Sequence, residues 1–166
     1  AKTLPPEEVV KAALATRCRS IAYTYSEPVV FYEYVRDIAV LAKKAGLRNV
    51  MVTAGYINPK PLEALAPFLD VVKVDLKGFD EGFYRKYVGG ELKFVLRTLQ
   101  ELRRLKVLTE VVNLVVPTLN DDPAQLKALA SWVRGNMGPD TPVFFSRFQP
   151  QYKVRNLPPT PLETLT

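Results

Sequence analysis

Five short runs rich in β-forming residues alternate with segments of helical apolar spacing, and this alternation constrains the fold more than any other feature of the 166-residue sequence. The runs cover residues 20–24, 49–53, 71–75, 109–116 and 143–146. Each is apolar at consecutive positions, which is typical of strands buried on both faces. Repeated strand–helix–strand units predict crossover connections and a parallel sheet. We therefore expect an α/β fold, a partial (β/α) barrel of parallel strands, as a single domain over residues 1–166.

Helix start signals stand near both ends of the chain. Thr3 has the position of an N-cap, with Pro5 and Pro6 in the first turn, and Thr160 with Glu163 three residues later has the spacing of a capping box. No strand run precedes the first helix, and little sequence follows the second signal. We therefore expect this chain to be the central part of a longer polypeptide, without the first strand of the barrel.

Two residue counts limit the chemistry that this chain can perform alone. It has no histidine, and Cys18 is its one cysteine. These counts exclude a Ser-His-Asp triad, an H-E-x-x-H zinc site, a cysteine-rich metal site and an intrachain disulfide. Cys18 is expected to be a small core residue, as unpaired cysteines in a reducing compartment often are. Without an apolar run long enough for a bilayer or a signal-peptide pattern, we predict a cytoplasmic protein with no membrane partner.

Polar residues collect at the ends of the predicted strands. They are Tyr25, Ser26 and Glu27 after the first run, Thr53 and Gly55 at the second, Asp75 and Lys77 at the third, and Asn120 after the fourth, with Asn113 inside it. The carboxyl ends of parallel strands meet at one edge of a sheet, where ligands bind. We therefore expect these groups to face a shared pocket.

Each of these groups also has a simpler interpretation. Glu27 is consistent with an acidic first turn of the helix that follows it. Asp75 and Lys77 lie on the same side of an extended chain, as a mutual ion pair or as a site for a zwitterion or a carboxylate. Asn113 is either a hydrogen-bonded core amide, part of a bulge, or a contact of a polar ligand. The segment 120–122 has the composition of a helix N-cap.

Four segments carry a resemblance to a known family. They are the sequences AYTYSEP at 22–28, VMVTAGYI at 50–57, VKVDLKGF at 72–79 and SRFQP at 146–150. Together they resemble the body of a radical S-adenosylmethionine (SAM) enzyme of the pyruvate formate-lyase activating type. Within that group they are most similar to the radical SAM member of the AmmeMemoRadiSam system. The sequence at 25–28 stands where the family commonly has a G-G-E-P-like motif.

The resemblance implies SAM as a cofactor and assigns parts of it to each strand end. Tyr25, Ser26 and Glu27 would line its methionine end, with Glu27 helping to receive its ammonium. Thr53 and Gly55 would lie near its ribose. Asp75 and Lys77 would approach its ammonium and carboxylate, while Asn113 and Asn120 would approach ribose and adenine. A carboxylate, an ammonium and neutral amides are the partners that such a molecule needs.

The resemblance also implies a 4Fe-4S cluster, whose ligating cysteines are not in this chain. Relatives carry the C-x-x-x-C-x-x-C motif just upstream of the region that corresponds to Ala1, so the fragment alone is expected to be inactive. The complete form would reductively cleave SAM to a 5′-deoxyadenosyl radical that abstracts hydrogen, with glycyl-radical activation of a partner protein as one such reaction. Flavodoxin or ferredoxin would supply the electron. Ala54 replaces a usual Asn, and Phe144 and Gln149 replace frequent histidines.

Two other functions stay open at this point. A β/α-barrel lyase or aldolase would use Lys77 as a Schiff-base amine, although the neighbouring Asp75 favours its charged form. A noncatalytic anion-binding or nucleic-acid-binding module would use the net charge of +6. The sequence lacks an interleaved aromatic and basic face, so we do not expect nucleic acid as a partner.

Overall fold

A computed structural model describes residues 4–151 and 154–165 of the chain. The strands are β1 (Ser20–Tyr23), β2 (Arg48–Thr53), β3 (Val71–Asp75), β4 (Leu108–Val115) and β5 (Val143–Arg147). The helices are α1 (Pro6–Ala15), α2 (Tyr32–Lys44), α3 (Pro59–Leu65), α4 (Glu81–Phe83), α5 (Leu92–Arg104) and α6 (Pro123–Met137). The five observed strands agree with the predicted runs to within one residue at each end.

The strands form one parallel sheet in the order β1-β2-β3-β4-β5, and the sheet is not closed. At least one helix separates each strand from the next along the chain, which is the connection that parallel pairs require. The predicted partial (β/α) barrel is confirmed. Strands β1 and β5 form its two edges.

The two faces of the sheet differ in burial. Alternate residues of the central strands pack against the helices, and Met51, Val72 and Val111 there are at most 1% exposed. The residues between them point to the open inner face, where Phe144 is 51% exposed. The expectation that every strand is buried on both faces is therefore wrong. An unclosed sheet has no opposite strands to cover its inner side.

Cys18 and Thr160 also differ from expectation. Cys18 is exposed, in the connection that leads from α1 into β1, rather than in the core. Thr160 is fully buried and begins no helix. Its hydroxyl donates to the carbonyl oxygen of Val115 at 2.6 Å and accepts from the backbone N–H of Phe148 at 2.9 Å. Thr160 thus ties the C-terminal segment to the sheet.

The two predicted helix starts have different outcomes. The predicted capping box gives only a short 3-10 turn, Leu162–Thr164, which Pro161 precedes. Thr3, the predicted N-cap of the first helix, lies outside the described residues. Within the described ranges, every helix is too short or too polar to cross a bilayer.

Candidate active site at the carboxyl edge of the sheet

The carboxylate of Glu27 joins the ends of β1 and β2. Its Oε1 accepts from the hydroxyl of Thr53 at 2.7 Å and from the N–H of Val29 at 3.2 Å. Its Oε2 accepts from the N–H of Ala54 at 2.8 Å. Glu27 is the N-cap of the 3-10 turn Pro28–Phe31, so its simpler interpretation as a helix-start acid is partly realised. The same carboxylate also fixes the loop after β2.

Gly55 allows that loop to lie close to the helices. It has a φ of +84°, and an added Cβ would lie 3.0 Å from Cγ1 of Val95 and 3.2 Å from Cγ1 of Val74. Its carbonyl oxygen accepts from the hydroxyl of Thr98 at 2.7 Å. Glycine is required here by both the backbone conformation and the close packing. The observed contacts of Gly55 are therefore structural.

Asp75 and Lys77 form an ion pair at the end of β3. The distance from Nζ of Lys77 to Oδ2 of Asp75 is 2.7 Å, and about a third of each side chain is exposed. The ion pair that the spacing allowed is therefore present. The carboxylate of Asp75 and the ammonium of Lys77 each have further hydrogen-bonding positions that can bind water or a ligand.

Two buried amides join β4 to the chain beyond β3. Asn113 is fully buried, and its Nδ2 donates to the carbonyl oxygen of Leu76 at 2.7 Å. Asn120 is 3% exposed, and its Nδ2 donates to Lys77 O at 2.7 Å and to Leu114 O at 2.9 Å. Asn120 therefore does more than belong to an N-cap segment. The cap of α6 is Asp122, whose side chain accepts from the N–H of Ala124.

Tyr84 belongs to this site, although nothing in the sequence pattern identified it. Its side chain is fully buried, and its hydroxyl oxygen accepts from the N–H of Lys77 at 3.1 Å. Burial raises the pKa of the phenol above its ordinary value. Tyr84 begins a π-helical turn, Tyr84–Val88, that continues α4. A contact through a backbone N–H leaves no side-chain signature, so only the structure reveals it.

The sheet register brings these residues to one edge. Thr53 lies opposite Val74, next to Asp75, and Asp75 lies opposite Val112, next to Asn113. The predicted residues of β1 to β4 thus form a continuous row along the carboxyl edge. Their side chains do not all face the same way. Asp75 is on the open face, whereas Thr53 and Asn113 are on the buried, helix-facing side.

Tyr25 and Ser26 are exposed in the loop between β1 and Glu27, and the side chain of Tyr25 is 91% exposed. The loop is therefore open to contact at the same edge as Glu27. A cavity of about 580 Å³ lies elsewhere. It is lined by Arg103, Lys106 and Asp140 among others, at the amino ends of β4 and β5. This cavity lies away from the predicted site residues, which are at the carboxyl edge.

The chain matches the family model of the radical SAM superfamily over residues 1–130. This match covers most of its length, so the chain belongs to the radical SAM superfamily. An uncharacterised protein of Methanocaldococcus jannaschii is 43% identical over 99% of this chain and 48% of its own length. A pyruvate formate-lyase-activating enzyme of Clostridium pasteurianum is 26% identical over 80% of this chain and 58% of its length. The chain thus spans about half the length of these relatives.

Solved structures confirm the fold. A domain of a pyruvate-formate lyase-activating enzyme from Bacteroides vulgatus superposes with a TM-score of 0.74 at 13% identity, covering 87% of each chain. SuiB of Streptococcus suis, solved bound to S-adenosylmethionine, has a TM-score of 0.74 at 10% identity. It covers 95% of this chain, which covers 37% of SuiB. These neighbours share the open parallel barrel.

The family implies SAM and a 4Fe-4S cluster, and only SAM fits the residues present. The carboxyl edge has a carboxylate–ammonium pair, with about a third of each side chain exposed, beside the exposed loop that carries Tyr25 and Ser26. The ammonium and carboxylate of SAM have the opposite charges that such a pair can bind. A cluster needs several thiolates, whereas the chain has Cys18 alone, before β1 rather than at the carboxyl edge. The described residues also hold no group of three metal-ligating side chains.

Proposed function

We propose that the whole protein is a radical SAM enzyme and that this chain supplies its SAM-binding edge. In such enzymes, SAM bound at a reduced 4Fe-4S cluster supplies a 5′-deoxyadenosyl radical that abstracts hydrogen from a substrate. The observation that carries the proposal is the continuous row from Glu27 and Thr53 through Asp75 to Asn113, on the carboxyl edge of a radical SAM fold. The cluster ligands would come from outside these residues, as would the rest of the barrel.

The residues of the edge have different proposed tasks. Asp75 and Lys77 would receive the ammonium and carboxylate of SAM, because they are accessible and opposite in charge. Glu27 would hold the loop of Tyr25 and Ser26 in place beside the methionine end, since both of its oxygens already bind protein donors. Those two residues would contact SAM directly.

Four further residues would contribute from the buried side of the edge. Thr53 and Gly55 would shape the wall near the ribose, given that the Thr53 hydroxyl donates to Glu27 and accepts from the N–H of Gly55 at 3.0 Å. Asn113 would shape the wall near the ribose and adenine by holding the carbonyl oxygen of Leu76. Asn120 would complete this part of the site from the turn after β4.

The substrate would be a partner protein that receives a glycyl radical. Support comes from the relatives, which include an activating enzyme for pyruvate formate-lyase and one for (2S)-3-sulfopropanediol dehydratase. A small electron carrier such as flavodoxin or ferredoxin would reduce the cluster. The affiliation with the AmmeMemoRadiSam system remains a prediction from the sequence.

The geometry argues against the Schiff-base alternative. A lysine nucleophile must attack as a free amine, whereas Nζ of Lys77 is engaged in an ion pair 2.7 Å from Oδ2 of Asp75. Borohydride trapping of Lys77 with a carbonyl substrate would establish that alternative instead. A salt-sensitive nucleic-acid complex would support the binding-module alternative.

The test uses the natural gene product that carries this chain, reconstituted anaerobically with iron and sulfide. We expect an iron–sulfur absorption band, SAM binding, and a Kd about tenfold higher in Asp75→Asn and in Lys77→Met, the loss of one charged contact. Lys60→Met, at an exposed position in α3, is the matched control and should leave the Kd unchanged. A Kd for SAM that is unchanged in both site variants would refute the assignment of this edge. A wild-type protein that does not bind SAM would refute the proposed function.

A further inference from the structure

The two peptide groups that follow β3 are held at three points by side chains from other segments. Asn113 donates to the carbonyl oxygen of Leu76, and Asn120 donates to the carbonyl oxygen of Lys77. The hydroxyl of Tyr84 accepts from the N–H of Lys77. Lys77 is therefore bonded on both sides of its Cα, by two residues that lie far from each other in the sequence.

These three hydrogen bonds satisfy backbone groups that lie beyond the end of the β3–β4 pairing. The pairing of β3 with β4 stops at Asp75, so the following peptide groups would otherwise bond to water and move freely. Instead they are bonded to side chains that are 0% exposed at Tyr84 and 3% exposed at Asn120. Bonds in such buried surroundings hold the backbone dihedral angles of Lys77 in one conformation.

The conformation of Lys77 determines where its ammonium points. Its side chain is on the same side of the extended chain as that of Asp75, and the two meet at 2.7 Å. The site around Tyr84 is built locally: Gly78 has no Cβ, and one placed there would lie 2.7 Å from Cδ1 of the Phe83 ring. Phe83 can thus pack on the backbone, which brings the next residue, Tyr84, beneath Lys77.

We propose that Tyr84 is a positioning residue that acts through the backbone of Lys77, with Asn120 as its counterpart on the carbonyl side. Together they orient the Asp75–Lys77 pair toward the amino-acid end of SAM. This inference rests on the proposed function, because it presupposes that the pair binds SAM. Tyr84 itself makes no contact with the ligand.

The experiment compares two ligands and two phenol deletions in the reconstituted natural gene product. Tyr84→Phe removes the acceptor of the Lys77 N–H, while Tyr56→Phe removes a neighbouring hydroxyl that bonds Glu91 O and not the strand. SAM has the amino-acid end, and 5′-deoxyadenosine lacks it. We expect Tyr84→Phe to weaken SAM binding about fivefold, the value of one hydrogen bond, and to leave 5′-deoxyadenosine binding unchanged. Tyr56→Phe should change neither affinity.

A double-mutant cycle separates positioning from general loosening of the fold. In a Lys77→Met background, Tyr84→Phe should have no further effect on SAM binding, because the side chain through which it acts is gone. Gly78→Ala, whose Cβ would displace the Phe83 ring and with it Tyr84, provides the test by the same two ligands if Tyr84→Phe does not fold. Equal losses for both ligands, an unchanged SAM affinity, or full additivity with Lys77→Met would overturn the inference. Failure of the wild type to bind SAM would instead overturn the proposed function.

Discussion

The two halves of the carboxyl edge are joined by different chemistry. Between β1 and β2 the link is a carboxylate, Glu27, which accepts three hydrogen bonds and is partly exposed. Between β3 and β4 the links are the amides of Asn113 and Asn120, both almost completely buried. The type of side chain that joins the strands therefore depends on burial. A charged carboxylate joins them where water has access, and neutral amides join them where water has none.

Position in the sheet explains this difference. β1 is an edge strand with partly exposed residues, so the carboxylate that follows it keeps some hydration. β4 has a neighbour on each side and alternate buried residues along its length. A charge at Asn113 would lose its hydration without gaining a partner, which is far more costly than burying a bonded amide.

The largest effect should come from placing a charge in the buried half. Asn113→Asp replaces the Nδ2 donor with an oxygen that faces the carbonyl oxygen of Leu76, at nearly constant volume. We expect the free energy of unfolding to fall by about 3 kcal/mol at neutral pH, through loss of the bond and burial of an unpaired group. Urea denaturation of the natural gene product measures it. Asn58→Asp, at an exposed position, is the control and should shift stability by less than about 0.5 kcal/mol. Equal effects at the two sites would contradict the contrast in depth.

Gly55 lies where the two halves meet, and its substitution should have the next largest effect. Gly55→Ala forces a Cβ into the left-handed region and against Val95 and Val74, so we expect a loss of about 2 kcal/mol. Gly135→Ala is the opposite control, since its added Cβ meets nothing within 4 Å inside α6. That variant should gain about 0.5–1 kcal/mol from helix propensity. A neutral Gly55→Ala, by thermal or urea unfolding, would show that the packing can relax.

The exposed half should tolerate loss of its link better. Glu27→Ala removes the acceptor of Thr53, Ala54 and Val29, but water can reach this loop. We expect a loss of about 1.5 kcal/mol, near the low end for bonds to a charged group. Glu33→Ala, an exposed acid in the first turn of α2, should cost less than about 1 kcal/mol. If Glu27→Ala proved as costly as Asn113→Asp, depth would not be what distinguishes the halves.

The sequence predicted the strands, the parallel order and the gathering of polar residues at one edge, because apolar runs and strand ends are local features. It did not predict the facing of those residues. Asn113 and Asp75 lie side by side on the edge but point to opposite faces, which depends on register. Tyr84 was missed because it binds a backbone N–H, and Cys18 and Thr160 were misplaced because type and spacing do not report depth. Those three depend on tertiary packing.

Each half also contains a buried tyrosine, and their titration gives the smallest expected effect. Tyr23, at the end of β1, donates to Oδ1 of Asn49 at 2.7 Å, while Tyr84 accepts from Lys77 N. Burial raises the pKa of both phenols.

An unfolded tyrosine loses its proton near pH 10, so above that pH the unfolded state binds fewer protons and stability falls as pH rises. Between pH 9 and 10.5, each buried phenol should lower the free energy of unfolding by about 0.8 kcal/mol. Tyr23→Phe and Tyr84→Phe should each remove the loss that comes from the substituted tyrosine. Urea unfolding across this range measures the slope. Because both phenols stay protonated in the folded state over this range, the relief should be similar in Tyr23→Phe and Tyr84→Phe, and a slope that either substitution leaves unchanged would contradict the burial of that tyrosine.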